Sequence, residues 1–257
     1  MSIFSGQKLG GWFLHQTQYS LQDTLRKIKY SRLLFDFFAN FHFMETTIAI
    51  MMADLSGYTA LTEIHGGEKA ADMVQRYLQL VNQSLVGDSR LHERVGDQVV
   101  IVSSSAEQLA YTATFLFERV HEQEWFLALH AGLHYGTVVQ KDNAYFGSTI
   151  NTAARIMSAA EKGKMLCSRE FLEQLPANHA FVTSSKGLMQ FKNLLQPVDL
   201  YELHCCIKNI SKTYVIDPVC HMLITAPEKA VQLTRQNDTL YFCSEKCRDM
   251  YITHHSG

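Results

Sequence analysis

Two acids stand where a chain can support metal chemistry. Asp54 follows directly on the apolar run "TTIAIMMA" and opens "DLSGYTALTE", while Asp97 follows Gly96 between the β-prone runs "RLHERV" and "QVVIVS". A strand end and a hairpin tip are rigid supports for a short carboxylate. In a sheet that sets the first strand beside that hairpin the two acids converge. Paired hard oxygen ligands suit Mg²⁺ or Mn²⁺, which bind through one or two carboxylates plus substrate phosphates. Each acid also has a plainer reading, Asp54 as the cap of the following helix and Asp97 as a turn residue. In "NTAAR", Asn151 and Arg155 are four apart and share one face of a helix. A planar guanidinium suits a phosphate and an amide can orient a sugar oxygen, whereas alone the pair reads as a solvated helix face.

These side chains need elements to hold them. "TTIAIMMA" has the length of a buried strand. Over residues 68–86, Ala71, Val74, Leu78, Val81 and Leu85 recur at spacings of three and four, the stripe of an amphipathic helix. "RLHERV" and "QVVIVS" form a hairpin with its tip at Gly96-Asp97. Ser105 with Gln108 three residues on is a capping-box signature, continued by Leu109, Ala113, Leu116 and Val120. "FLALHAGLHYGTVVQ" reads as a strand, a Gly-containing turn and another strand. After "KDNAYFGS" come a helix over about 149–160, the strand "KMLCS", a short helix near 169–175 and strands around 181–204. This order predicts an α+β domain with helices packed on one largely antiparallel sheet.

The bulk numbers exclude several classes. At 257 residues, 47% hydrophobic and 19% charged, the chain can bury a sizeable core and hold one large domain plus a small one. With a net charge of −2 and no Lys/Arg block, nothing suggests sequence-independent binding of nucleic acid or of an anionic membrane. Six cysteines without a signal peptide point to reduced thiols and a cytoplasmic protein. "YSRLLFDFFANFHF" is broken by Arg32, Asp36, Asn40 and His42, short of the ~20 apolar residues a transmembrane helix needs. Residues 1–43 read either as an extension with an amphipathic helix or as residues preceding a start at Met44, and they carry no assigned function.

The segments "ADLSGYTALTE", "ERVGDQVV", "HAGLHYGTVV", "YFGSTINTAAR" and "GKMLCS" stand in the order and spacing of the class III nucleotidyl cyclases, which residues 44–206 resemble. The resemblance implies a ferredoxin-like nucleotide cyclase domain and a homodimer with shared active sites. It implies that Asp54 and Asp97 hold two Mg²⁺ or Mn²⁺ ions, that Asn151 positions the ribose and that Arg155 stabilises charge on the phosphates. The expected reaction is attack of the 3′ hydroxyl of ATP or GTP on its own α-phosphate, with pyrophosphate expelled by a two-metal mechanism.

The base pocket departs from the family pattern. Adenylyl cyclases of the family carry a lysine four residues before the second metal aspartate and guanylyl cyclases a glutamate; here the position is Glu93, which favours GTP. The partner position, three residues before Gly147, is Ala144, where an Asp is expected for adenine and a Cys for guanine. The family's phosphate-binding lysine has no clean counterpart, with Lys192 and Lys186 as the candidates. These departures keep open a second reading, a catalytically weak cyclase-like nucleotide or metal sensor.

Residues 213–257 shift in composition, with three of the six cysteines and half of the four prolines. Such a unit has too small a core to stand without a metal or a partner surface. "DPVCHM" followed by "YFCSEKC" resembles the YHS domain, a short metal-associated module. That resemblance sets Cys220 facing Cys243 and Cys247, the latter two one helical turn apart. Three thiolates plus a fourth ligand suit Zn²⁺ or the softer Cu⁺, with His221, His254 or His255 as the fourth. Cys167, Cys205 and Cys206 read as structural thiols.

Overall fold

The structure, a computed structural model, describes residues 44–204, 214–235 and 238–255. The expectations for residues 1–43, Cys205 and Cys206 lie outside them. By contacts the chain divides into two units, residues 45–140 with 145–257, and residues 1–44 with 141–144. The larger holds the elements that follow, save the strand ends at residues 44, 141 and 144.

Strand β1 (Met44–Leu55) leads into helices α1 (Tyr58–His65) and α2 (Gly67–Ser84), the hairpin of β2 (Arg90–Val95) and β3 (Gln98–Ser103), and helix α3 (Ala106–Glu122). The chain returns through β4 (Phe126–Leu127), β5 (Leu129–Lys141) and β6 (Ala144–Phe146) to α4 (Ser148–Ala159), β7 (Met165–Ser168), α5 (Arg169–Leu172), β8 (Val182–Met189) and β9 (Val198–His204). The main sheet runs β2-β3-β1-β5-β7-β9-β8, with β6 paired to β5. Its first four strands, with α2 and α3 as crossovers, have the interleaved ferredoxin-like arrangement, and β1 lies antiparallel to β3 as the convergence of the two acids requires.

The unbroken apolar run of β1 follows from burial on both faces. Ala49, Met51, Ala53 and Leu55 join a core with α2 and α3, and Ile48, Ile50 and Met52 join another with Val138, Ala153 and Met157. Ser105 caps α3 by accepting a bond from the Gln108 amide at 3.3 Å, and Leu109, Ala113, Leu116 and Val120 are all buried.

Two sequence expectations need correction. The buried stripe of α2 is Ala70, Met73, Val74, Tyr77, Leu80 and Val81, rotated from the expected one; Ala71 is exposed and Leu78 only half-buried. The bulky Met73, Tyr77 and Leu80 set the face. In addition, β5 is one continuous strand with no turn at its glycines. A Cβ on Gly132 would stand 2.2 Å from the Met157 amide nitrogen, and one on Gly136 would stand 2.7 Å from Thr149 Oγ1. These glycines admit helix α4 against the strand.

The C-terminal residues add β10 (Val215–Ile216), β11 (Met222–Ile224), a 3₁₀ turn (Pro227–Lys229), β12 (Val231–Arg235), β13 (Asp238–Phe242) and α6 (Glu245–His254). Strand β11 pairs with β4 of the main body, Met222 opposite Leu127 and Leu223 opposite Phe126. Cys220, Met222, Phe242 and Cys247 are buried in the same cluster as β1, α2 and α3. The segment therefore borrows its core from the surface it covers.

Candidate active site

The N-cap of α1 is Gly57, at φ +94° and without a side-chain cap bond, so Asp54 does not cap that helix. Pairing of Ala53 with Val99 sets the end of β1 beside the tip of the hairpin, where Val95 pairs Gln98 across Gly96 (φ +64°) and Asp97. The Asp54 and Asp97 carboxyls meet in a hydrogen bond, and both engage the backbone of Leu55. Burial raises the Asp54 carboxyl. Burial and the Asp54 carboxylate together push Asp97 up to about 7. Two acids in contact away from water cannot both ionise cheaply, so without a cation they hold a proton between them until the pH rises through about 7.

Three neighbours of the pair gave no signal in the sequence. Tyr77, fully buried on α2, has a hydroxyl without a hydrogen-bond partner among the described residues. Burial, with the charges of Asp54 and Asp97, pushes its pKa well above the usual phenol range. A tyrosine in a helical stripe reads as core, and only the tertiary packing brings it within range of the acids' charges. His130 lowers its pKa by burial, donates to the Asp54 backbone carbonyl and lies within reach of the Asp97 charge. Its Nδ1 stands 2.9 Å from the hydroxyl of the buried Ser56.

The other expected site residues stand apart from this pair. Asn151 and Arg155 are exposed together on α4, whose opposite face buries Thr149, Thr152, Ala153, Ile156 and Met157. Among the described residues no hydrogen bond or ion pair joins either to Asp54 or Asp97. Glu93 is exposed on β2, just past a register shift between Leu91 and Glu93. Nearby, Arg90 donates to the Tyr145 hydroxyl at 2.6 Å and the His92 ring lies 4.7 Å from that of Tyr145. Ala144 is exposed at the start of β6 and belongs to the smaller contact unit. Lys192 is exposed in the turn between β8 and β9, while Lys186 is held by Glu202 at 2.5 Å.

The sequence model of the adenylate and guanylate cyclase catalytic domain matches residues 43–216. The chain belongs to this family. An uncharacterized protein of Mycobacterium tuberculosis is 35% identical over 159 residues, 62% of this chain and 41% of that protein. An adenylate cyclase of Streptomyces coelicolor is 31% identical over 134 residues, 51% of this chain and 35% of that protein. The chain thus spans well under half the length of these curated relatives. Among solved structures, an adenylate cyclase from Trypanosoma brucei in its monomeric state superposes with a TM-score of 0.59 at 19% identity, covering 70% of this chain and 93% of that one. This likeness shows the cyclase fold.

Beyond the residues matched to the cyclase family, the three C-terminal cysteines come together. Cys243 Sγ lies 3.4 Å from Cys220 Sγ and 3.5 Å from Cys247 Sγ. The imidazole that reaches them is His65, at the end of α1 in the cyclase domain, with Nε2 3.4 Å from Cys243 and 3.6 Å from Cys247. The candidates suggested by the sequence are placed elsewhere: His221 Nδ1 meets Lys162 Nζ at 2.6 Å, His254 is exposed, and His255 stacks on Tyr251. Cys247 is drawn down to about 2 by hydrogen bonds from Cys220 and Cys243, while Cys220 is pushed up by its bonds to the other two and by burial.

Proposed function

We propose that the protein is a class III nucleotidyl cyclase that converts a purine nucleoside triphosphate, ATP or GTP, to its 3′,5′-cyclic monophosphate and pyrophosphate. The observation that carries this reading is the Asp54–Asp97 pair. Two half-buried acids in contact, whose charges crowd each other, form a dication site. Bound Mg²⁺ or Mn²⁺ would acidify the 3′ hydroxyl and neutralise the triphosphate.

The chain's own residues divide the remaining work. Asp54 and Asp97 would hold the two ions, with the Leu55 backbone and His130 bracing Asp54. The 3′ oxygen loses its proton as it bonds to the α-phosphorus, and the bridging P–O bond to the β-phosphate breaks to release pyrophosphate. Arg155 neutralises charge on the phosphates, a role worth ~10³-fold or more in related transfers, and Asn151 orients the ribose. Both are exposed and, among the described residues, make no hydrogen bond or ion pair with the acid pair of their own chain, which fits a head-to-tail homodimer in which each subunit completes the other's site.

Base choice rests on Glu93 and Ala144, and Lys192 is the remaining lysine for a terminal phosphate. A carboxylate at position 93 can accept two bonds from guanine, whereas the Streptomyces coelicolor relative is an adenylate cyclase. Residues 213–257 fit a YHS domain following a cyclase domain over 44–206. A nucleotide or metal sensor without turnover is the second reading, favoured by Ala144 and by the lack of a clean counterpart to the family's phosphate-binding lysine.

Incubating the purified chain with Mn²⁺ and either ATP or GTP, beside Asp97→Ala, tests the assignment. Cyclic product from the wild type and not from the variant supports it and fixes the base. A dimeric, Mn²⁺-loaded protein that gives product from neither nucleotide is a sensor.

A further inference from the structure

We propose that His65, Cys220, Cys243 and Cys247 form one tetrahedral zinc site, in which the first helix of the cyclase domain supplies the ligand that closes a three-cysteine cluster of the C-terminal segment. The four ligand atoms all lie within 4.8 Å of one another. Ligands about 2.0–2.3 Å from a zinc ion at tetrahedral corners stand roughly 3.5–3.8 Å apart. Four of the six separations, at 3.4 to 3.6 Å, are close to that spacing, and the other two lie within 4.8 Å. All three thiols are free, and a disulfide would need sulfurs near ~2.05 Å. Three sulfurs and one imidazole are a zinc donor set; the nitrogen makes the site less suited to Cu⁺, which prefers soft sulfur alone.

The surroundings are built for ligands. Asp217 is wholly buried, and its Oδ1 accepts from the amides of Val219 at 2.8 Å and Cys220 at 3.2 Å while Oδ2 accepts from the Cys243 amide at 2.7 Å. One carboxylate thus pins both turns that carry cysteines, and its negative charge favours a dication between them. Ser244 caps α6 and accepts from the Cys247 amide at 3.3 Å, orienting the third thiol. A cleft of about 340 Å³ lined by His65, Cys243, Lys69, Asp72 and Arg76 opens beside the cluster and gives an ion a way in.

The site fastens the segment where it matters. His65 ends the helix that begins just after Asp54, and the Lys246 ammonium donates to the Ile64 carbonyl next to it. A Cβ on Gly57 would stand 2.6 Å from His221 Cβ and 3.0 Å from the Cys220 carbonyl, so the cysteine turn lies directly on the loop after Asp54. Zinc therefore clamps the loop and helix that follow the first acid.

The test uses the full chain. Elemental analysis should find one zinc per chain that withstands dialysis, and Co²⁺ exchange should give the thiolate charge-transfer and tetrahedral d–d bands. His65→Ala should weaken zinc by more than the roughly 10- to 100-fold that loss of an outer partner causes, and Asp217→Asn by about that range. His65→Cys should keep the metal and shift the Co²⁺ bands, while His254→Ala and His255→Ala change nothing. Hydrogen exchange over residues 56–65 should rise on zinc removal. Zinc affinity unchanged by His65→Ala, copper retained in place of zinc, or a Cys220–Cys243 disulfide in the isolated protein overturns the site. Exchange unaltered by zinc removal overturns the clamp. Any effect on turnover rests on the cyclase reading; metal content and exchange do not, so the two fail separately.

Discussion

The Asp97 carboxyl at the tip of the hairpin shares a hydrogen bond with the Asp54 carboxyl at the end of the neighbouring strand. Asp97→Asn keeps the shape, removes one charge and lets an amide donate to Asp54. In metal-free protein at pH 8 the variant should melt higher than the wild type, by about 2–4 °C for each kcal/mol of relieved repulsion. It should no longer be stabilised by Mn²⁺, and its cyclase rate should fall by about 10²-fold or more. Calorimetry with and without Mn²⁺ checks this. A metal-free variant no more stable than the wild type would show that the acids do not repel.

The same pair fixes a pH dependence. The carboxyl of Asp97 is raised in the folded chain from an ordinary 3.8 to about 7, so the folded state keeps a proton that the unfolded state releases. This contribution to stability is fully present below the ordinary value and is lost as pH rises through about 7. Melting in a chelator should therefore show wild-type stability declining between pH 4 and 7 relative to Asp97→Asn, and Mn²⁺ should flatten the decline. Parallel pH profiles for the two proteins would sink the assignment.

What the sequence revealed followed from local chemistry. Asp54 and Asp97 were legible because a strand end and a Gly-Asp turn announce themselves within a few residues. Tyr77 and His130 were not: their coupling to the acids arises where α2 and β5 pack near them, and in sequence one belongs to a helical stripe and the other to an apolar run. His65 was hidden for a stronger reason. No spacing relates it to the cysteines, and only the pairing of β11 with β4 and the docking of α6 bring them together. The glycines of β5 misled in the opposite direction, since glycine within a β-prone run reads as punctuation until the helix lying across it is seen.

That helix contact makes a prediction. Gly132→Ala places a Cβ 2.2 Å from the Met157 nitrogen and 2.7 Å from the Ala153 carbonyl, both backbone atoms of α4 that cannot swing aside. Overpacking of this kind costs roughly 1–3 kcal/mol or more. Because α4 also carries Asn151 and Arg155, its displacement should lower the cyclase rate in molecules that remain folded. Urea unfolding and turnover at a temperature well below melting separate the two losses. A variant as stable and as active as the wild type would show that β5 and α4 do not pack this closely.

The exposed pair on α4 leads to the test of shared sites. In a head-to-tail dimer, a subunit lacking Asp54 still offers Arg155 to its partner, and a subunit lacking Arg155 still offers Asp54. Asp54→Ala and Arg155→Ala should each be nearly inactive alone. Mixed and allowed to exchange, half of the dimers would be hybrids, each with one intact site of two, so activity should recover to about a quarter of wild type under the two-fold symmetry of such an assembly. The recovery should grow with the time allowed for exchange and vanish at protein concentrations too low to form dimers. If the mixture stays as inactive as its components while size-exclusion chromatography shows hybrids, Arg155 acts within its own chain or not at all. The exposure of Asn151 and Arg155 would then need another explanation.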